Sequence, residues 1–88
     1  MRRSRGTENL RVDHALDVRG MESADSYRKA VAQLKTMAEN AILELSIDDG
    51  KSLRTIPFGL RAEGHELLIS EPMKDGVRLL VKKRSLLP

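Results

Sequence analysis

Residues 12–48 read VDHALDVRGMESADSYRKAVAQLKTMAENAILELSID, and three successive periodicities within them decide the fold. Over 12–18, Val12, His14, Leu16 and Val18 recur at every second position, the pattern of a short strand with one face turned inward. Gly20 and Glu22 fall in the turn that follows. From Ala24 to Asn40 the spacing changes: Tyr27, Ala30, Val31, Leu34, Met37, Ala38 and then Ala41 fit the i, i+3, i+4, i+7 series of an amphipathic helix. Ser23 stands where an N-cap belongs, and Asp25 places a carboxylate in the first turn, near the positive end of the helix dipole. Asn40 suits a left-handed stop. Alternation resumes over 42–48, with Leu43, Leu45 and Ile47 on one face. A strand, a crossover helix and a strand in this order predict a parallel pair with a right-handed connection.

The second half repeats the theme. Residues 52–63 read as a helix with Leu53, Ile56 and Leu60 inward, ended by Gly64. Pro57 inside it removes a backbone donor, so the helix is expected either to kink or to start properly only near Pro57. Residues 65–71 and 77–83 alternate as two more strands, joined by the turn-like Pro72-Met73-Lys74-Asp75-Gly76. The expected fold is α+β, a two-layer α/β sandwich of order βαβαββ, with a four-stranded mixed sheet and both helices on one face. The last two strands should be antiparallel neighbours. By parity the open sheet face carries Ile42, Leu68 and Leu80 among Glu44, Ser46, Glu66, Ser70, Arg78 and Lys82. If these strands are neighbours, the three apolar side chains form a partner patch; otherwise they are scattered surface residues.

Eighty-eight residues and 9.9 kDa make one domain, with an expected stability of roughly 4–13 kcal/mol. Apolar residues are 40% and charged residues 33%, the balance of a globular chain. No apolar run exceeds three residues, so no membrane span is expected, and Arg2, Arg3 and Arg5 precede no apolar signal region. Cysteine is absent, which removes disulfides and thiol chemistry; the expected compartment is the cytoplasm. The net charge of +3 belongs to residues 1–5, because the rest carries 13 basic and 13 acidic residues. Residues 1–10 therefore read as a basic arm and 11–88 as the domain. The arm offers Arg2, Arg3 and Arg5 as contacts to RNA phosphates, with Lys82, Lys83 and Arg84 assisting; a solubilising tail is the plainer reading. Tyr27 and Phe58 are the only aromatics, too few for a base-stacking platform. His14 and His65 lie 51 positions apart and Asp48-Asp49 reads as a turn, so neither a metal site nor a cofactor is expected.

Four motifs now stand in order. Leu16-Asp17-Val18-Arg19-Gly20-Met21 resembles the LDxRGL opening of the TusA/SirA family of small sulfur carriers. Ile47-Asp48-Asp49 resembles that family's acidic turn, Ile56-Pro57-Phe58 its IPxW/F helix, and Gly64-His65-Glu66-Leu67 its GHEL strand start. The likeness runs from about residue 14 to 84 and implies the same sandwich, which resembles the C-terminal domain of translation initiation factor 3. It also implies an active motif, Cys-Pro-x-Pro. There a cysteine at a helix start accepts a persulfide sulfur from a cysteine desulfurase or similar donor and passes it on, for example towards tRNA thiolation. A helix N-terminus suits such a thiolate, because the dipole and free amides stabilise the anion.

The corresponding residues here are Ser23, Ala24, Asp25 and Ser26. A serine hydroxyl forms no persulfide, and the chain holds no other thiol. Replacement of both prolines as well points to natural divergence rather than a single inactivating change. Ser23 as a hydrolytic nucleophile would need a base and an oxyanion hole, and the sequence brings neither histidine to it. The resemblance thus implies a family domain without the carrier step, one that binds a protein such as a cysteine desulfurase or rhodanese-type relay enzyme through residues 19–28. An RNA-associated module using the arm, and a sulfur carrier inactivated by substitution, are the alternatives. Oligomeric state is not legible.

Overall fold

The computed structural model describes residues 11–85, so the basic arm and its Arg2, Arg3 and Arg5 lie outside the described residues. Six elements follow in the expected order: β1 (His14–Asp17), α1 (Ser23–Lys35), β2 (Ile42–Ile47), α2 (Lys51–Ala62), β3 (Glu66–Met73) and β4 (Gly76–Lys82). They form one four-stranded sheet in the order β1-β2-β4-β3. β1 and β2 are parallel, and β4 is antiparallel to both β2 and β3.

The core lies between the sheet and the helices. Leu43, Leu45 and Ile47 of β2 and Leu79 and Val81 of β4 are fully buried, as are Ala30 and Leu34 of α1 and Ile56 and Leu60 of α2. These are the positions the two periodicities select. Between the helices, the Tyr27 ring lies so close to Gly59 that a Cβ there would meet it at 2.6 Å. Its hydroxyl donates towards the Gly59 carbonyl at 3.3 Å and Glu63 at 3.2 Å.

Several local expectations are corrected. α1 stops at Lys35, five residues before Asn40. Asn40 does adopt a left-handed φ of 73°, but in the turn leading into β2, where its N–H donates to the Lys83 carbonyl at 2.8 Å. The end of α1 is closed instead by Lys83, whose Nζ donates to the carbonyls of Leu34 (2.7 Å) and Met37 (3.0 Å). A cation here meets the negative end of the dipole. The N-cap of α1 is Glu22, with no side-chain capping bond, and Ser23 is the first helical residue. α2 begins at Lys51 and continues through Pro57, so it does not wait for the proline to start. The hairpin turn is tighter than expected: Met73 pairs with Gly76, and only Lys74 and Asp75 lie between. Pro72 is tolerated within β3 because β3 is an edge strand.

The expected apolar patch on the open sheet face does not form an exposed surface. Ile42 and Leu80 are 7% and 2% exposed. Both lie in the two central strands, and Leu80 sits between Glu44 on one side and Ile69 on the other. Arg78 runs across the same face, binding Glu44 (3.1 Å) and Glu71 (2.9 Å). Leu68 is the extra residue of a bulge between Leu67 and Ile69, which hands the outward position beside Leu80 to Ile69.

Candidate functional site

The starts of α1 and α2 meet at one end of the sheet. Between them lies an open hollow of about 380 Å³, lined by Gly20, Met21, Glu22, Ser23, Asp48, Asp49, Lys51 and Ser52. The loop from β1 to α1 and the loop from β2 to α2 build it together. Two side-chain clamps fix their shape.

The first is Arg19. Its Nε and Nη2 donate to the two carboxylate oxygens of Asp17 at 2.9 and 2.8 Å, and its N–H donates to the same group at 3.1 Å. Its Nη1 reaches the Asp75 carbonyl at 3.1 Å, tying β1 to the β3–β4 turn. The Arg19 hydrogen bonds hold the Asp17 carboxyl down at about 2 and push the guanidinium's own pKa up. Arg19 thus supports the turn rather than pointing out towards a ligand. The second clamp is Asp48, whose Oδ2 accepts the Gly20 N–H at 2.9 Å. Gly20 has a φ of +85°, where L side chains are strained. The Asp-x-Arg-Gly run and the acidic turn after β2 are therefore two halves of one scaffold.

The four residues at the active-motif positions diverge in placement. Ser23 is half-buried and lines the hollow. Ala24 and Asp25 are exposed, and Asp25 is ion-paired with Arg28. Ser26 is buried, turned away from the hollow. Its N–H donates to the Glu22 carbonyl at 2.9 Å, and its hydroxyl donates to Glu22 (3.0 Å) and towards Val18 (3.4 Å). A proline at position 26 could make none of these bonds. The serine there knits the first turn of α1 into a regular helix.

Ser52, which the sequence did not single out, also lines the hollow while only 5% exposed. Its position one residue into α2 was the available signal. Neither histidine approaches Ser23. His14 is in β1, and His65 precedes β3, its Nδ1 accepting the Arg84 N–H at 3.1 Å. Among the described residues no group of three or more His, Asp or Glu could hold a metal. The hollow therefore carries two hydroxyls, three carboxylates and the Lys51 ammonium, and neither histidine lines it. Two of the three auxiliary phosphate contacts expected at the C-terminal end are occupied: Lys83 closes α1, and Arg84 lies 3.7 Å from Glu39 and 3.4 Å from Glu66, whereas Lys82 has no such partner among the described residues.

The family profile described as Sulfurtransferase TusA matches residues 14–83, nearly the whole of the described fold. A protein of Archaeoglobus fulgidus, provisionally named a sulfur carrier protein, is 27% identical over 85 residues, covering 96% of this chain and 97% of its own length. No helix among the described residues is long and apolar enough to cross a membrane.

Proposed function

The chain belongs to the TusA sulfurtransferase family, and from that membership we propose that it works by binding rather than by carrying sulfur. The observation that carries this reading is the absence of cysteine from all 88 residues, with Ser23 at the helix start where the family resemblance calls for the persulfide acceptor. A hydroxyl oxygen is not a thiolate, and it accepts no persulfide sulfur. The loops around it are nonetheless held by the Asp17–Arg19 clamp and the Gly20–Asp48 bond.

A family domain that keeps the frame of the site and lacks its reacting atom is suited to occupy a relay enzyme's docking surface. The partner in this reading is a cytoplasmic cysteine desulfurase or rhodanese-type protein, contacted by residues 19–28 around the hollow. Binding would regulate or scaffold transfer without taking part in it. Asp25 fits this role: beside the helix start it disfavours an arriving persulfide anion, and Arg28 holds it in place.

The test combines the full-length protein with the cysteine desulfurase of its source organism and radiolabelled cysteine. The expected result is a complex at tens of micromolar or tighter, with no label retained on this chain. Met21→Glu, at the rim of the hollow, should weaken the complex at least tenfold. Failure to detect any complex at that concentration refutes docking, and label retained on the chain refutes the loss of the carrier step.

A further inference from the structure

The sequence carries equal numbers of basic and acidic residues beyond position 5, yet the fold separates them. α1 and α2 together hold six basic residues and one acidic, a net of +5. The remaining described residues hold seven basic and eleven acidic, a net of −4. Both helices cover the same side of the sheet, so their outward faces form a basic layer over an otherwise acidic body.

Within that layer, α2 is distinctive. Lys51, Arg54, Phe58 and Arg61 fall at spacings of three, four and three, one stripe of a helix about 15 Å long. All four are exposed, and Phe58 is 73% exposed, the most accessible large apolar side chain among the described residues. Arginines 11, 19, 28, 78 and 84 each sit within salt-bridge distance of a carboxylate. Arg54 and Arg61, one turn to either side of Phe58, have no such partner among the described residues. Lys29 and Lys35 of α1 extend the same unpaired charge.

We propose that the outward face of α2 binds single-stranded nucleic acid, with Lys51, Arg54 and Arg61 on successive phosphates and Phe58 stacked on a base. Unpaired cations supply the electrostatic footprint such strands require, and Phe58 adds a single stack rather than the multi-aromatic platform that the composition excludes. A protein partner fits this stripe less well. The core of a protein interface is depleted in charged residues, whereas the exposed neighbours of Phe58 are two arginines, a threonine and an alanine. Nothing here reads base edges, so binding is sequence-tolerant. The proposal shares only Lys51 with the hollow; Arg54, Phe58 and Arg61, which the test alters, lie along the side of α2 and do not line it.

The test measures fluorescence anisotropy of a labelled 12-nucleotide oligouridylate with the full-length protein between 50 and 200 mM KCl. The expected dissociation constant at 50 mM is about 100 µM or tighter. Phe58→Ala should weaken it at least about fivefold, the low end of a lost stack. Arg54→Gln with Arg61→Gln should weaken it further and reduce the slope of log affinity against log salt by about 1.4, roughly 0.7 for each phosphate contact removed. These side chains are exposed, and circular dichroism checks that the variants fold. Variants that bind as the parent does would overturn the proposal and move binding elsewhere, the basic arm included. Absence of binding by the parent at 50 mM salt would also overturn it and leave the α2 face to a protein partner.

Discussion

Replacing Gly76 by alanine tests how tightly the sheet end is packed. Gly76 opens β4 with a φ of +127°, and a Cβ added there would lie 2.3 Å from the Ile47 carbonyl oxygen and 3.1 Å from Cδ of Arg19. The first obstacle is backbone at the end of a central strand, which cannot swing aside as a side chain can. The conformational strain costs about 1–3 kcal/mol. Displacing the Ile47–Val77 pairing adds an overpacking cost of about 1–3 kcal/mol. A loss of about 3 kcal/mol is expected, a large share of the stability available to a chain of this size. Gly20→Ala is the comparison: its φ is +85°, but nothing lies within 4 Å of the added Cβ. It should cost only the conformational part, about 1–2 kcal/mol. Urea unfolding followed by circular dichroism reads both, and at roughly 1–1.5 kcal/mol per molar the Gly76→Ala midpoint should fall by about 2–3 M. Equal losses at the two positions would refute the role given to the Ile47 carbonyl.

Pro57→Ala should stabilise the protein. Proline inside a helix is about 3 kcal/mol less favourable than alanine, and the lost ring packing and freer unfolded chain return only part of that, so Tm should rise by about 4–10 °C; a fall in Tm would show that the half-buried ring outweighs the missing hydrogen bond. His65 is held below its ordinary 6.5 by burial first and by Lys83 second, and its neutral Nδ1 accepts the Arg84 N–H. Its contribution is therefore complete above pH 6.5 and is lost as pH falls through the lowered folded-state value. Urea unfolding at pH 7.5 and 5.0 should show that loss, and His65→Asn should reduce it; an undiminished loss in the variant would assign it to other groups.

Element order, strand direction and the helix-facing core were legible because they follow from short periodicities. Leu43, Leu45 and Ile47 announce their face by alternation alone. What was not legible depends on neighbours distant in sequence. Asn40 looked like a helix stop because its left-handed preference is local, whereas α1 ends where Lys83 caps it from 46 residues beyond Met37. Leu80 looked exposed by parity, but two flanking strands cover it. The bulge at Leu68 shifts the parity of β3 midway. Arg19 reads only as part of a motif in the sequence, and the fold alone brings the Asp75 carbonyl, 56 residues away, to its Nη1. For the candidate site, Ser23 of the motif positions lines the hollow, while Ser52 comes from the other helix and carries no motif. The charge separation was hidden because a sum over the chain is blind to which layer each residue joins.

The strand order also bears on how the protein behaves when concentrated. Among the described residues a sheet ordered β1-β2-β4-β3 leaves β1 and β3 with one unpaired side each, the kind of border along which chains stack into aggregates. Both borders are poor templates. β1 is four residues long and is flanked by Asp13 and ended by Asp17. β3 is longer, but its bulge bends one half and Pro72 lacks an N–H in the other. Substituting Pro72 with a β-branched residue and straightening the bulge would turn β3 into a clean eight-residue border. Aggregation during expression would then arise from a sheet more regular than this one.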